Sequence, residues 1–425
     1  MDAGQTARGY HLLTADRGFA IGSGWLSHLL APGFRRLIDA IDRGLVSGRI
    51  EASFPDGTTR TVGGHAPGPV AIVRIVRWRA LVRLATSGSV GWYRAWADGD
   101  WESPDPVPLF DLFMRNRLTL GQTARSRGFA RLLNRLQHLR RRNDSEGARR
   151  NIEFHYDLGN DFYTPWLDAT MTYSSARFAT PLDEAESLEA AQHRKIRDLL
   201  DRLGTRPGDR LLEIGCGWGT LAAIAASEYG LQVTGITLSA EQKAHAEAML
   251  RSRGLSDQVT IELRDYRDVT ERFDAVVSVE MVEAVGMDYW PAYAAAVARA
   301  LKPGARAAIQ MIAMAEDSFE SYAANADFIQ TYIFPGGMLM SEPRFRTLAE
   351  AEGLAWSERI GFGLDYAETL RRWRVAFDAA AEADRLPRGF HPRFIDLWRY
   401  YLMYCEGGFR GGGIDVLQVT LTKAR

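Results

Sequence analysis

The sequence predicts an α/β protein in which a doubly wound, Rossmann-like domain with a helical insertion follows a smaller α+β domain. Three observations predict it. Short β-branched runs alternate with Ala/Leu/Arg-rich helical stretches after Asn151, the pattern of βαβ units with a parallel sheet. The run Arg210–Thr220 joins an apolar strand to a helix through Gly215, Gly217 and Gly219. Residues 51–84 instead alternate β-rich stretches with turn signals, as a small separate unit would.

In chain order, Arg49–Phe54 and Val70–Val76 read as strands, flanked by Asp56-Gly57 and Gly63-Gly64 turns. Between Arg115 and Arg150 arginines recur, opposed by Asp144 and Glu146 and interleaved with Leu118, Phe129, Leu132 and Leu136, a basic and partly amphipathic bridge. The domain boundary falls near residue 145. Beyond it, Arg210–Ile214, Gln232–Ile236, Val259–Leu263, Phe273–Val279, Ala305–Ile312 and Val416–Thr422 are the expected strands. Leu364–Phe409 carries Trp373, Trp398, Tyr400, Tyr401 and Tyr404 without strand alternation, so it reads as a helical insertion placed to roof a pocket.

Composition narrows the function classes. The 425 residues are 46% hydrophobic and 25% charged with a formal net charge of −1, which excludes a disordered or polybasic chain and leaves no broad footprint for nucleic acid. Cys216 and Cys405 are too few for a disulfide framework and lack zinc spacing, which points to a reducing, cytoplasmic setting and no metal. No stretch of about 18 apolar residues appears, so membrane contact is expected to be peripheral.

The cofactor signal is specific. Gly215-x-Gly217-x-Gly219 is tighter than a dinucleotide fingerprint and follows Glu213, an acid that repels a pyrophosphate and suits an ammonium or sulfonium group. S-adenosyl-L-methionine (SAM) fits better than NAD. Thr237, Leu238, Ser239 and Gln242 follow the second strand, where hydroxyls can meet a ribose or Ser239 can simply cap a helix. Asp265 and Tyr266 follow the third strand and are candidates for the adenine.

Glu213-Ile214-Gly215-Cys216-Gly217-Trp218-Gly219, Gly235-Ile236-Thr237-Leu238-Ser239, Asp265-Tyr266-Arg267-Asp268, Ser278 to Gly286 and Tyr332 to Gly337 together resemble the cyclopropane-fatty-acyl-phospholipid synthase and mycolic acid cyclopropane synthase family. The resemblance runs from His155 to Leu421. Gly88 to Gly91 and Ala97 to Trp101 more weakly resemble the accessory N-terminal domain of the phospholipid-acting members. It implies an accessory, lipid-interacting domain over 1–145 and a methyltransferase domain over 146–425.

The resemblance implies methyl transfer from SAM to the cis double bond of an acyl chain, with Tyr173 and Ser174 joining the cofactor contacts. It further implies a bicarbonate ion that accepts a proton, held at positions that here are Ser175, Glu283, Gln310, Ile312 and Tyr366. Two of these depart from the family: Ser175 stands where a Cys is expected and Gln310 where a His is expected. Gln310 can neither carry a positive charge nor relay a proton. Ring closure is therefore in question, and proton loss after a hydride shift would leave a methylene- or methyl-branched chain. The implied partners are unsaturated phospholipid chains, the membrane surface met by the basic bridge, a homodimer and a separate reductase. The competing readings are a methyltransferase for another small hydrophobic substrate and a non-catalytic lipid-binding relative.

Overall fold

The computed structural model describes residues 8–15, 31–121, 158–325 and 327–425. Most of the basic bridge, and with it His155, lies outside the described residues. The chain divides into two compact units, one made of Met1–Arg141, Asp317–Pro335 and Pro387–Ile414, the other of Arg142–Glu316, Gly336–Leu386 and Asp415–Arg425.

The first unit holds a four-stranded sheet in the order β2-β1-β3-β4, with β1 at Ser47–Ser53, β2 at Thr59–Gly63, β3 at Ala66–Ile75 and β4 at Trp101–Glu102. β1 and β2 form an antiparallel hairpin across Asp56-Gly57, where Asp56 Oδ1 accepts from the Thr58 N–H at 3.0 Å. β1 also runs parallel to β3, burying Ile50 and Ala52 on one face. Asp100 is wholly buried, yet Arg79 meets its carboxylate at 2.8 Å and Arg77 and Arg83 each at 3.1 Å, so its charge is compensated. Helix Pro392–Arg410 packs against helix Val107–Arg115 so closely at Gly407 that a Cβ there would stand 2.4 Å from Phe110 Cβ.

The second unit is a seven-stranded sheet in the order β10-β11-β9-β8-β5-β6-β7. β5 is Arg210–Ile214, β6 Gln232–Thr237, β7 Val259–Leu263, β8 Phe273–Val279, β9 Leu301–Met314, β10 Leu354–Gly361 and β11 Ile414–Lys423. The α/β, Rossmann-like expectation holds: β5 pairs in parallel with β6 on one side and β8 on the other, and β9 continues parallel to β8. Helix Thr220–Tyr229 buries Leu221, Ile224 and four alanines, and with Leu211, Val233, Ile261 and Val277 it fills the core against the sheet. The strand β10, absent from the sequence reading, is an antiparallel edge strand whose residues are mostly exposed, so it lacks a strand's apolar run.

The stretch Leu364–Phe409 is helical, as read, but in two helices: Gly363–Glu382 belongs to the second unit and Pro392–Arg410 to the first. Among the described residues no helix is long and apolar enough to cross a membrane.

Candidate active site

Because the chain leaves β5 for β6 and β7 on one side and returns to β8 and β9 on the other, a crevice opens at the carboxyl ends of β5 and β8. There the glycine loop turns with φ of +83° at Gly215, +51° at Gly217 and +91° at Gly219, angles that a side chain would strain. The loop borders a cavity of about 1000 Å³, counted to its open mouth.

Of the residues expected at the cofactor, Tyr173, Ser174, Glu213, Gly215 and Gly217 line this cavity, and Thr237, Leu238, Gln242 and Tyr266 line it from the next strands. Three stand one step back. Gly219 opens helix Thr220–Tyr229, and Ser239 caps helix Ala240–Ser252 by accepting from the Gln242 N–H at 3.3 Å. The Asp265 carboxylate is gripped by Arg267 at 2.8 and 2.6 Å.

Glu213 tests the cofactor fit. Its Oε2 is buried with no hydrogen-bond partner among the described residues. Burial pushes its pKa up to about 8, opposed by the charge of Lys195. An unmet carboxylate oxygen on a cavity wall suits a cationic ligand, so the residues present fit the sulfonium and ammonium of SAM. Around the loop, Trp218 Nε1 donates to Asn160 Oδ1 at 2.7 Å, and Tyr163 packs its ring against both Trp218 and Tyr173.

Two cavity residues escape the sequence reading. Lys195 is buried, with Nζ donating to Ser174 Oγ at 2.7 Å, and desolvation lowers its pKa to about 8 against the pull of Glu280, Asp168 and Glu213. Glu280, just after β8, adopts a φ of +50° and lines the cavity. Its neighbour Cys216 lines the same space, its thiol pushed well up by burial.

The residues that the resemblance assigned to an anion gather beside this cavity, around two carboxyls. Ser175 is wholly buried; its N–H donates to Glu280 Oε1 at 2.9 Å, while its hydroxyl donates to the Ala176 carbonyl. Gln310 Nε2 donates to the same Oε1 at 2.8 Å, and Gln310 Oε1 accepts from Gln418 Nε2 at 3.1 Å. Tyr366 stands close enough to Glu280 to favour its ionised form, against the burial that raises its pKa. Glu283, on the short helix Val282–Val285, accepts from the Ile312 N–H through Oε1, and its buried Oε2 has no partner among the described residues. Desolvation, then the charge of Glu280, raises the Glu283 pKa to about 8. His193 is half-buried on helix Leu188–Asp201, and Cys405 lies in the first unit with its thiol pushed up by burial.

A family model described as mycolic acid cyclopropane synthetase matches residues 143–419. The chain is 44% identical over 282 residues to the tuberculostearic acid methyltransferase UfaA1 of Mycobacterium tuberculosis, a span of 65% of this chain and 65% of that protein. It is 36% identical over 375 residues to the cyclopropane-fatty-acyl-phospholipid synthase of Escherichia coli, covering 85% of this chain and 90% of that one. Among solved structures, the cyclopropane synthase MmaA2 from Mycobacterium tuberculosis superposes with a TM-score of 0.60 at 30% identity, over 65% of this chain and 98% of that chain.

Proposed function

The chain belongs to the mycolic acid cyclopropane synthetase family, and from that premise we propose that it methylates the double bond of unsaturated acyl chains in phospholipids and yields a methylene- or methyl-branched product. It is a SAM-dependent methyltransferase. When bound, SAM supplies an electrophilic methyl group on a positively charged sulfur.

The observation that carries the proposal is the pair of carboxyls, Glu280 and Glu283, at and beside the cavity that the glycine loop also lines. An alkene is a weak nucleophile, and its attack on a methyl carbon leaves a cation that carboxyl oxygens held in a dry site stabilise. Oxygen or nitrogen methylation develops no such cation. Glu213 meets the positive end of the cofactor, Tyr266 flanks its adenine, and Lys195 fixes Ser174 at the rim.

Gln310 supports the branched product. It is held as a hydrogen-bond bridge between Glu280 and Gln418, and an amide in that place cannot pass a proton onward. The 44% identity to a tuberculostearic acid methyltransferase favours the same outcome, and the long match to a phospholipid-acting synthase favours a phospholipid substrate. In this reading the protein meets its substrate at a membrane surface, and a separate reductase converts any methylene product to the methyl branch.

The test is expression in a host with unsaturated phospholipids, followed by mass spectrometry and NMR of the acyl chains. Chains one carbon heavier with an exocyclic methylene or a methyl branch are expected. Clean cyclopropane would overturn the product assignment, and unaltered lipids together with no S-adenosylhomocysteine from purified protein and unsaturated vesicles would overturn the whole.

A further inference from the structure

We propose that the Glu280 carboxylate is the built-in base of this site: it faces the methylated acyl chain and takes up the proton that the chain releases, in place of a diffusible anion. The inference rests on the acyl-methylation reading and assigns a catalytic residue within it.

Two donors from distant parts of the chain converge on one oxygen of this side chain, the Ser175 N–H at 2.9 Å and the Gln310 amide at 2.8 Å, and Tyr366 beside it favours the ionised form. Such a set of fixed donors is what an anion site needs, and here a side-chain carboxylate fills it. Glu280 also lines the cofactor cavity, as Gly215 and Glu213 do. Its backbone sits at φ +50°, a left-handed conformation that strains a non-glycine residue. Its N–H is pinned to the Gln310 carbonyl at 2.8 Å, so the same residue anchors both ends of Glu280. Met171, also lining the cavity, shares the left-handed conformation with φ +53°, and strain of this kind concentrates where geometry serves function.

The step balances as follows. The alkene π pair forms the new bond to the methyl carbon while the sulfur keeps the electrons of the broken S–C bond, and the adjacent carbon becomes cationic. A hydride shift moves the cation to the branch carbon. A C–H bond of the added methyl then breaks, its electrons form the methylene double bond, and its proton goes to Glu280, which returns it to solvent.

Two variants test this, with SAM affinity measured by calorimetry and turnover measured on unsaturated phosphatidylglycerol vesicles in carbon-dioxide-stripped buffer. Glu280→Gln keeps the shape without the base; a loss of turnover of about 100-fold or more, with SAM affinity within threefold of wild type, is expected. Glu280→Gly suits the backbone angle and leaves the Ser175 and Gln310 donors facing an open space. Formate or bicarbonate should bind this variant saturably by calorimetry, leave wild type without a binding signal, and raise the variant's turnover at least tenfold. Glu280→Gln turnover within threefold of wild type, a fall in SAM affinity that matches the fall in turnover, or a Glu280→Gly variant that neither binds nor responds to these anions would overturn the proposal. A wild-type protein inactive on every unsaturated lipid fails the proposed function itself, whereas active wild type with active Glu280→Gln fails only the inference.

Discussion

Lys195 Nζ donates to Ser174 Oγ at 2.7 Å, so a buried ammonium is tied to a neutral hydroxyl while the carboxyls of Glu280, Asp168 and Glu213, each pushed up in pKa by desolvation, lie near enough to offset part of the cost of burying it. Taking it away strips the three carboxyls of their nearby positive charge and leaves Ser174 without its donor. Lys195→Met, which keeps most of the apolar stem, is expected to cost about 1–3 kcal/mol of stability at pH 7. Urea unfolding of the two proteins checks this, and a more stable variant would show that the ammonium is a burden rather than a tie.

The pH dependence of cofactor binding follows from Glu213. Burial raises its pKa to about 8, so below that pH the carboxyl is mostly protonated in the empty site. A cationic ligand favours the ionised form, and binding must then expel a proton. SAM affinity should therefore climb from pH 6 to pH 8, by at most about tenfold per unit, and level off above. Calorimetry in two buffers of different ionisation enthalpy should detect release of up to about one proton near pH 7. Glu213→Gln should bind more weakly and without this slope. Affinity flat across the range in wild type would remove Glu213 from the cofactor contacts.

The glycines of the loop separate stability from binding. A Cβ on Gly219 would stand 2.9 Å from Ala246 Cβ, at a φ of +91°, so Gly219→Ala should destabilise the fold by about 1–3 kcal/mol. A Cβ on Gly217 meets nothing within 4 Å, and its φ of +51° is one that alanine tolerates at about 1–2 kcal/mol. Because Gly217 lines the cavity, Gly217→Ala should lose SAM affinity about tenfold at a stability cost no greater than that backbone strain. Thermal unfolding with and without SAM distinguishes the two, and equal stability losses without a binding difference would contradict the assignment.

The contrast between Glu283 and Glu280 shows what the sequence makes legible. Buried parallel strands are near-continuous apolar runs, so β5 and β8 can be read directly, β7 shows instead the alternation of an edge strand, and the glycine loop announces the crevice. The exposed edge strand β10 carries no such run. Glu283 is found by resemblance because it stands in a motif. Glu280 stands in the same motif, but its role is not legible there, since it depends on the Ser175 backbone and the Gln310 amide, which the fold brings to it from separate regions. Its left-handed backbone and the burial of Lys195 are likewise properties of the folded chain.

Glu283 makes the last prediction, one of stability against pH. Its folded pKa is raised to about 8 from an ordinary value of 4.5, mainly by desolvation and then by Glu280. Below pH 4.5 the carboxyl is protonated in both folded and unfolded chains, and its contribution to stability is fully present. As pH rises toward 8 the unfolded chain ionises while the folded one resists, so that contribution is lost, by at most about 1.4 kcal/mol per pH unit. Glu283→Gln mimics the neutral acid and keeps an acceptor for the Ile312 N–H. The variant should therefore gain on wild type progressively between pH 5 and pH 8. Glu283→Ala, which leaves that N–H without its acceptor, should instead lose about 1–3 kcal/mol at pH 5. Urea unfolding at pH 5, 6.5 and 8 measures all three proteins, and a stability difference between Glu283→Gln and wild type that stays constant with pH would mean that Glu283 is ionised throughout.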